Sequence, residues 1–573
     1  MLEPHRYYYL HNFQRALAWV GGRYGGLLDT AEQGFLAGFA QLPMASQALL
    51  VRLLLRRGPW FLEHKLAYAE IPDVRAAAQP LLALGWLDAG RPLRLEDLFA
   101  LHTKAELLAL FATAGLHGGL RKAQMLQALG GTHAGERTYA EWHPGAAHAA
   151  WCVTVGDVCE RLRLMFFGNL RQGWSEFVLA NLGVFRYEPV PFPAEARAFA
   201  SRADVDGFLA IARCRQALDD GADPAQLLQA AAACISANPW LELRRAKLLL
   251  RIGQACERAQ QWALAEQAYA QSRYPGARHR RMRVCERSGR PADAWALAQA
   301  AQAAPESEEE RQRLARMLPR LARQLGLAPG ERPARRSSPP LARADLELER
   351  PAAPVPVESL VRAHWHRAAA PVFYVENTLF NTLFGLLCWP AIFAPLPGAF
   401  FHPFQSGPAD LRSPDFVPRR AHAFAACLAL LDTGQHHAAI RQRFAEKHGV
   451  QSPFVFWGAV TQELLDLALA CIPAAHLRRV FERLLRDLPG NRAGLPDLVR
   501  FWPAEQRYEL VEVKGPGDHL QDNQIRWLEF FHAEGIPASV CHVQWQGRSP
   551  ARAAPVCTAP VCTAPACAAQ GAA

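Results

Sequence analysis

Two short apolar runs carry three residues that do not belong in a buried strand pair. In the stretch LPDLVRFWPAEQRYELVEVKG, residues 495–515, these are Asp497, Glu512 and Lys514. A buried carboxylate is costly without a compensating cation, and two that face one another also repel. A divalent ion resolves that conflict. Oxygen ligands suit Mg²⁺ or Mn²⁺, which keep waters for chemistry and accept phosphate oxygens. The lysine then serves separately, orienting the attacking water and offsetting charge that develops on a phosphate. These residue types point to metal-assisted hydrolysis of a phosphodiester. An ExK pair alone arises often by chance, and the bland reading leaves Glu512 and Lys514 solvated on an exposed hairpin.

The elements around them must place all three groups together. DLVRFW and YELVEVKG read as strands, and PAEQ between them carries turn chemistry, so the segment reads as a β-hairpin. Side chains two apart on a strand share a face, which sets Glu512 beside Lys514. Asp497, opening the first strand after the rigid GLP, meets them across the pair. The Asp lies fifteen positions before Glu512, and DHLQDNQIRWLEFFHAEG follows as a helix. His476 and His519 flank the region and invite a general-base role, but a metal with Lys514 supplies the hydroxide without an imidazole. His519, in a polar turn after KGPG, is expected to be exposed.

The chain has 573 residues, room for roughly four domains at ~150 residues each. Half of the residues are hydrophobic and a fifth are charged, a globular composition. The formal charge of +10 points mildly to a polyanionic partner. MLEPHRYYYLHNFQRALAWV has no apolar run with a small-residue cleavage site, and nowhere do about 18 uncharged apolar residues run together. No secretory signal or membrane span is expected, and the protein is expected to be soluble and intracellular. The thirteen cysteines are scattered and form no CxxC pair; Cys152 and Cys159 match no common metal spacing. They read as reduced core residues.

Composition and period divide the chain into six pieces. Residues 1–90 form a helical domain, with Leu49, Leu50, Leu53, Leu54 and Leu55 at helical spacing. Residues 91–200 contain two short amphipathic helices around a Gly-containing turn, with Thr103 and Glu106 spaced as a capping box. Residues 201–330 are Ala- and Leu-rich helix pairs of tetratricopeptide-like appearance. Arg278, His279, Arg280, Arg281 and Arg283 cluster on one of those helices, either as a solvated face or as a phosphate-binding patch. Residues 331–358 read as a Pro/Arg-rich linker, 359–548 as the hydrolytic domain, and 549–573 as a disordered Ala/Pro/Cys tail.

Longer motifs carry a resemblance. Thr103-Lys104, Glu106-Leu107, Leu110, Gly115-Leu116, Gly119, Arg121-Lys122 and Leu129 resemble a SAP motif, a DNA-binding helix-turn-helix; an ordinary helical hairpin is the alternative. Pro496-Asp497 with Glu512-Val513-Lys514 is the PD-(D/E)xK nuclease arrangement. GNRAGLPDLVRFW, LVEVKGPGDHLQDNQIRWL and VENTLFNTLFGLLCWP together resemble the virus-type replication-repair nuclease domain of the Fanconi-associated nuclease family. The expected fold is therefore multidomain. A mostly α-helical amino-terminal region (helical domain, SAP-like helix-turn-helix, tetratricopeptide-like α-solenoid) precedes an α/β, restriction-endonuclease-like PD-(D/E)xK nuclease domain.

The resemblance implies roles. It assigns a metal-binding acid to the glutamate of VENTLF, here Glu376, which also falls on a helical stripe with Phe380, Leu383 and Leu387 and is expected on the buried face; a capping role near the helix start, where acids are favoured, is the alternative. Asp497 and Glu512 complete the acids, the Val513 carbonyl joins the metal shell, and Lys514 assists. Gln524 matches a glutamine often found near such sites, contacting DNA or water or capping a backbone group. Lys104, Arg121 and Lys122 become phosphate-contact candidates, with Arg280, Arg281 and Arg283 as a second set. The implied enzyme is a structure-selective, Mg²⁺- or Mn²⁺-dependent nuclease that cuts near 5′ flaps, has 5′-to-3′ exonuclease action and serves interstrand crosslink repair. Its partner is branched or flapped DNA, met as a monomer or a DNA-induced dimer. The absence of a Cys/His zinc-finger pattern argues against ubiquitin binding, and the lack of a basic localisation run fits a bacterial cytoplasm, associated with the nucleoid. A Holliday-junction resolvase and a non-catalytic DNA-binding scaffold are the rival readings.

Overall fold

The computed structural model describes residues 6–174, 185–328 and 341–546. The described residues form two compact units. The first comprises Met1–Ser337, Thr378–Thr461 and Leu477–Arg492, and the second comprises Ser338–Asn377, Gln462–His476 and Ala493–Ala573. The expected tail, 549–573, lies outside the described residues.

In the first unit the helices Tyr8–Tyr24, Thr30–Gln41, Met44–Leu54 and Val74–Ala83 bury Leu10, Phe13, Leu49 and Leu50 in one core. Asp29 starts the second helix with a capping box, accepting the Glu32 N–H at 2.8 Å. The region is mostly helical, as expected, and it also carries a small sheet. Strands β1 (Trp60–Leu62), β2 (Leu87–Asp88) and β3 (Ala150–Val153) make a small antiparallel sheet in the order β1-β3-β2. Trp151, Val153, Leu162 and Met165 join the amino-terminal core, so the expected 91–200 piece does not pack as one body. The physical reason is that AWCV is buried along its whole length, which gives neither a helical nor an alternating period.

The SAP-like segment packs Leu98, Phe99, Leu107, Met125 and Leu129 from helices Leu95–Leu101, Lys104–Leu110 and Lys122–Gly130. The capping box read from the sequence is present: Glu106 Oε2 accepts the Thr103 N–H at 2.7 Å, and Thr103 Oγ1 accepts the Glu106 N–H at 3.3 Å. Paired helices then run from Arg202–Asp219 to Glu308–Gln324. Small residues allow their close approach. Ala265 and Ala268 are fully buried, and a Cβ at Gly253 would stand 2.6 Å from the Tyr269 ring.

In the second unit five strands form a mixed sheet in the order β4-β8-β7-β6-β5. They are β4 (Ala342–Leu348), β5 (Val372–Tyr374), β6 (Leu498–Trp502), β7 (Arg507–Lys514) and β8 (Ala538–Trp545). β6 and β7 are the expected hairpin, paired antiparallel from Leu498↔Val511 to Trp502↔Arg507. β7 also pairs in parallel with β8, which makes it the central strand, and Asp522–Ala533 is the expected helix between them. One face of the sheet packs Val372, Leu498, Val511, Val513, Cys541 and Val543 over Val361 of helix Val357–Trp365.

Two expected boundaries change. The 331–358 linker contains β4, paired in parallel with β8 over seven residues. Its residues, ARADLEL, alternate apolar and charged as a half-exposed edge strand does, but the run is short and the Pro- and Arg-rich flanks on both sides hide it in the sequence. The hydrolytic domain expected at 359–548 is divided, because Thr378–Thr461 belongs to the first unit. There His402 lies against the Phe166 and Phe167 rings, and the Trp19 indole donates to the Phe401 carbonyl at 3.1 Å.

Candidate active site

The GLPD turn delivers Asp497. Gly494 has φ +91°, a conformation that excludes other side chains, and a Cβ there would lie 2.8 Å from the Asn523 backbone. Asp497 is then fixed at both ends. Its carbonyl accepts the Val375 N–H from the end of β5, and its Oδ2 accepts the Val513 N–H on β7, both at 2.8 Å.

Alternation along β7 puts Val513 into the sheet core and turns Glu512 and Lys514 to the other face, both buried. Glu512 is only 1% exposed. Lys514 Nζ stands 2.8 Å from Glu512 Oε1, an ion-pair distance. Among the described residues neither Glu512 oxygen makes a hydrogen bond of good geometry, so the carboxylate is left short of partners. Burial pushes the Asp497 carboxyl up; the Val513 N–H and Lys514 oppose this, while Glu358 and Glu376 add to it. Burial also pushes Glu512 up, reinforced by Asp497 and Glu376 and opposed by Lys514.

Glu376 departs from its expected setting. It is exposed, in the turn after β5, and the helix starts only at Leu379, so it does not share a buried stripe with Phe380, Leu383 and Leu387. Asn377, at φ +53°, breaks the helix on its amino-terminal side. The Tyr374 hydroxyl donates to Glu376 Oε2 at 2.5 Å and the Asn377 amide donates to Oε1 at 3.2 Å. Its charge still acts on both Asp497 and Glu512, which places the three acids in one neighbourhood. Glu358, at the start of helix Val357–Trp365, is a fourth acid that the sequence reading missed, because its segment read as linker.

The donor set suits a hard divalent cation. All candidate ligands are oxygens, and Glu512 has two buried oxygens without hydrogen bonds. Among the described residues no three acidic, His or Cys side chains are gathered closely enough to cage an ion unaided. Each carboxylate is turned to a protein partner instead: Glu376 to Tyr374 and Asn377, Asp497 to Val513, and Glu512 to Lys514. Such an open arrangement fits ions that retain waters and accept substrate oxygens.

The other expected residues have more local partners. Gln524 Oε1 accepts the Gln521 N–H at 2.8 Å, capping helix Asp522–Ala533. His476 Nδ1 is bound to the Tyr508 hydroxyl, 2.9 Å away, and His519 is exposed as expected. In the SAP-like segment, Lys104 and Lys122 donate to the Gly118 and His102 carbonyls, each at 2.7 Å, and Arg121 is exposed. Arg280 and Arg283 face the buried Glu257 at 3.0 and 3.6 Å, and Arg281 faces Glu266 at 3.3 Å. That cluster is bound into its own helical repeat.

Asp497 entering one strand, ExK on its central neighbour, a mixed sheet and the following helix define a PD-(D/E)xK nuclease. The chain is 54% identical to a Fanconi-associated nuclease 1 homolog of Pseudomonas aeruginosa, over 95% of this chain and 96% of that one. It belongs to the Fanconi-associated nuclease family. Residues 432–545 match the VRR-NUC domain, 7–88 the FAN1 HTH domain, and 92–142 the Fanconi anemia-associated nuclease SAP domain. Fanconi-associated nuclease 1 of Homo sapiens is 34% identical over 33% of this chain and 19% of its own. A crystal structure of paFAN1 bound to 2nt 5′ flap DNA with gap is similar with TM-score 0.89 and 53% identity, covering 96% of this chain and all of that one. A second, with 1nt 5′ flap DNA, is similar with TM-score 0.87 and 54% identity, covering 94% of this chain and 99% of that one.

Proposed function

We infer that this nuclease is structure-selective and hydrolyses phosphodiester bonds near 5′ flaps of branched DNA, with 5′-to-3′ exonuclease action, in the repair of interstrand crosslinks. The observation that carries the assignment of its site is the buried group of Asp497, just before β6, with Glu512 and Lys514 on β7. The likeness to paFAN1, whose solved structures hold 5′ flap DNA, supports the choice of substrate.

Glu376, Asp497, Glu512 and the Val513 carbonyl would hold Mg²⁺ or Mn²⁺. When bound, such an ion supplies Lewis-acid charge to the phosphate and lowers the pKa of water. The chain's own contribution is positioning. Asp497 keeps its orientation through the Val513 N–H, leaving Oδ1 for ligation. Lys514, held beside Glu512, brings a fixed positive charge to the phosphate as negative charge develops on its oxygens during in-line attack by water. Burial on both faces of β7 keeps the local dielectric low, which strengthens each of these interactions.

Selection of a branch needs surface beyond the hairpin, since backbone contacts position DNA without reading sequence. We assign part of this to the SAP segment, with Arg121 the exposed member of its basic set and Lys104 and Lys122 at its edge. The test is cleavage of end-labelled 5′-flap, 3′-flap, four-way-junction and duplex DNA. Preference for the 5′ flap is expected; cutting mainly at the four-way junction would make the enzyme a resolvase.

A further inference from the structure

Glu376 is exposed, yet neither of its carboxylate oxygens is left without a partner. Tyr374, the last residue of β5, gives its hydroxyl to Oε2 at 2.5 Å. Asn377 gives its side-chain N–H to Oε1 at 3.2 Å, and its own Oδ1 accepts the Leu495 N–H at 3.1 Å. Leu495 is two residues before Asp497. Asn377 therefore ties one candidate ligand to the loop that delivers another.

The backbone is arranged for this bridge. Asn377 sits at φ +53°, a left-handed conformation that Asn tolerates better than most residues because its short polar side chain bonds locally. A second tie runs in parallel, since the Val375 N–H donates to the Asp497 carbonyl at 2.8 Å. Tyr374 is registered opposite Leu498, the residue after Asp497, yet the residue is 48% exposed. A large aromatic spent on an exposed edge strand adds little to the core, but its hydroxyl reaches the one acid of the set that burial does not hold.

We propose that Tyr374 and Asn377 are positioning residues for the metal site, orienting the exposed Glu376 carboxylate and fixing its distance from the Asp497 loop. The inference rests on the reading of Glu376, Asp497 and Glu512 as metal ligands. Each carboxylate oxygen keeps a lone pair beyond the one its protein donor uses, so a carboxylate held this way can still ligate. Ordering it in advance removes the entropy cost of collecting a solvent-facing side chain at the moment of binding. Partners that orient metal ligands in this way commonly contribute 10–100-fold in metal affinity.

The test measures Mn²⁺ binding to the full-length protein by the electron paramagnetic resonance signal of free Mn²⁺, beside 5′-flap cleavage across a Mn²⁺ titration. Tyr374→Phe removes only the hydroxyl. Asn377→Gly removes both side-chain bonds while keeping a residue at ease in the left-handed region. Each variant is expected to weaken Mn²⁺ binding about tenfold. In cleavage the same shift should appear in the Mn²⁺ requirement, with kcat at saturating Mn²⁺ and KM for DNA near wild type, a pattern that a damaged fold does not give. Melting temperature in a chelator checks the fold, and Tyr374→Phe decides if Asn377→Gly proves unstable. Wild-type Mn²⁺ curves for a folded Tyr374→Phe would overturn the proposal. Asp497→Ala separates the two levels: if it binds Mn²⁺ as wild type does, the ligand assignment itself is wrong.

Discussion

Asp497 and Val513 are joined across the strand pair: Oδ2 of the first accepts the backbone N–H of the second at 2.8 Å. The carboxylate that enters β6 is thereby clamped to the middle of the ExK sequence on β7. Asp497→Asn keeps an acceptor oxygen for that bond and removes the charge. Cleavage is expected to fall a hundredfold or more, on the order seen when one transition-state stabiliser is lost. The fold should keep its stability to within about 1 kcal/mol, checked by urea denaturation.

Lys514→Met acts differently, because it leaves Glu512 buried without its cation. Breaking such a pair costs about 3–5 kcal/mol where the remaining group is charged. Glu512 titrates above its ordinary range in the folded protein, so the charged form is the strained one. The penalty in the variant should therefore grow as pH rises and shrink in acid. The double variant Glu512→Gln with Lys514→Met should recover most of the stability and none of the activity; denaturation at two pH values checks both.

Metal should stabilise the protein in a pH-dependent way. Burial raises both Asp497 and Glu512, so the folded state holds their protons more tightly than the unfolded chain. A raised carboxyl favours folding below its unfolded pKa, and that contribution is lost as pH rises through the folded value. Mg²⁺ or Mn²⁺ replaces the protons, worth about 2.7 kcal/mol at a hundred times Kd. Thermal melts should show a larger metal-induced shift at higher pH, and none in Asp497→Ala.

Acid should loosen the first unit through His402. Its ring is buried against Phe166 and Phe167, its Nε2 has no hydrogen bond among the described residues, and burial pushes its pKa down to about 3. The unfolded chain takes up this proton near the ordinary value of 6.5, so stability is lost as pH falls from there towards 3. His402→Leu gives up the acceptor for the Phe404 N–H, about 1 kcal/mol at neutral pH, but should flatten the acid limb of a circular-dichroism titration.

The two basic clusters should separate by salt. Arg280, Arg281 and Arg283 already face Glu257 and Glu266, so removing Arg281 should leave the salt slope of DNA binding unchanged. Replacing Lys104 and Arg121 together should weaken binding and reduce the slope by about 1–2, near the value for one or two phosphate contacts. An unchanged slope would remove the SAP segment from the DNA interface.

Much of this site was legible because its geometry is local. A period of two along VEVK sets Glu512 and Lys514 on one face, the PAEQ turn fixes the register with Asp497, and Thr103 with Glu106 announces a helix start. What stayed hidden depends on tertiary pairing. The edge strand Ala342–Leu348 alternates apolar and charged residues over only seven positions between Pro-rich flanks, and its pairing with β8 is what identifies it. Glu376 fits a helical stripe by spacing alone, and only the left-handed Asn377 takes it off the helix. The arginines at 280, 281 and 283 read as a patch until the acids of neighbouring helices appear opposite them.

The most direct test of the central claim is cleavage of an end-labelled 5′ flap by wild type and by Glu512→Gln, with Mg²⁺, with Mn²⁺ and with chelator, each protein first shown to be folded. Wild type should cut only with a divalent ion, and the variant, which keeps the shape of Glu512 without its charge, should fail under all three conditions. Cutting by wild type in chelator, or full activity in Glu512→Gln, would contradict the assignment of the buried carboxylates as the metal-binding centre of the nuclease.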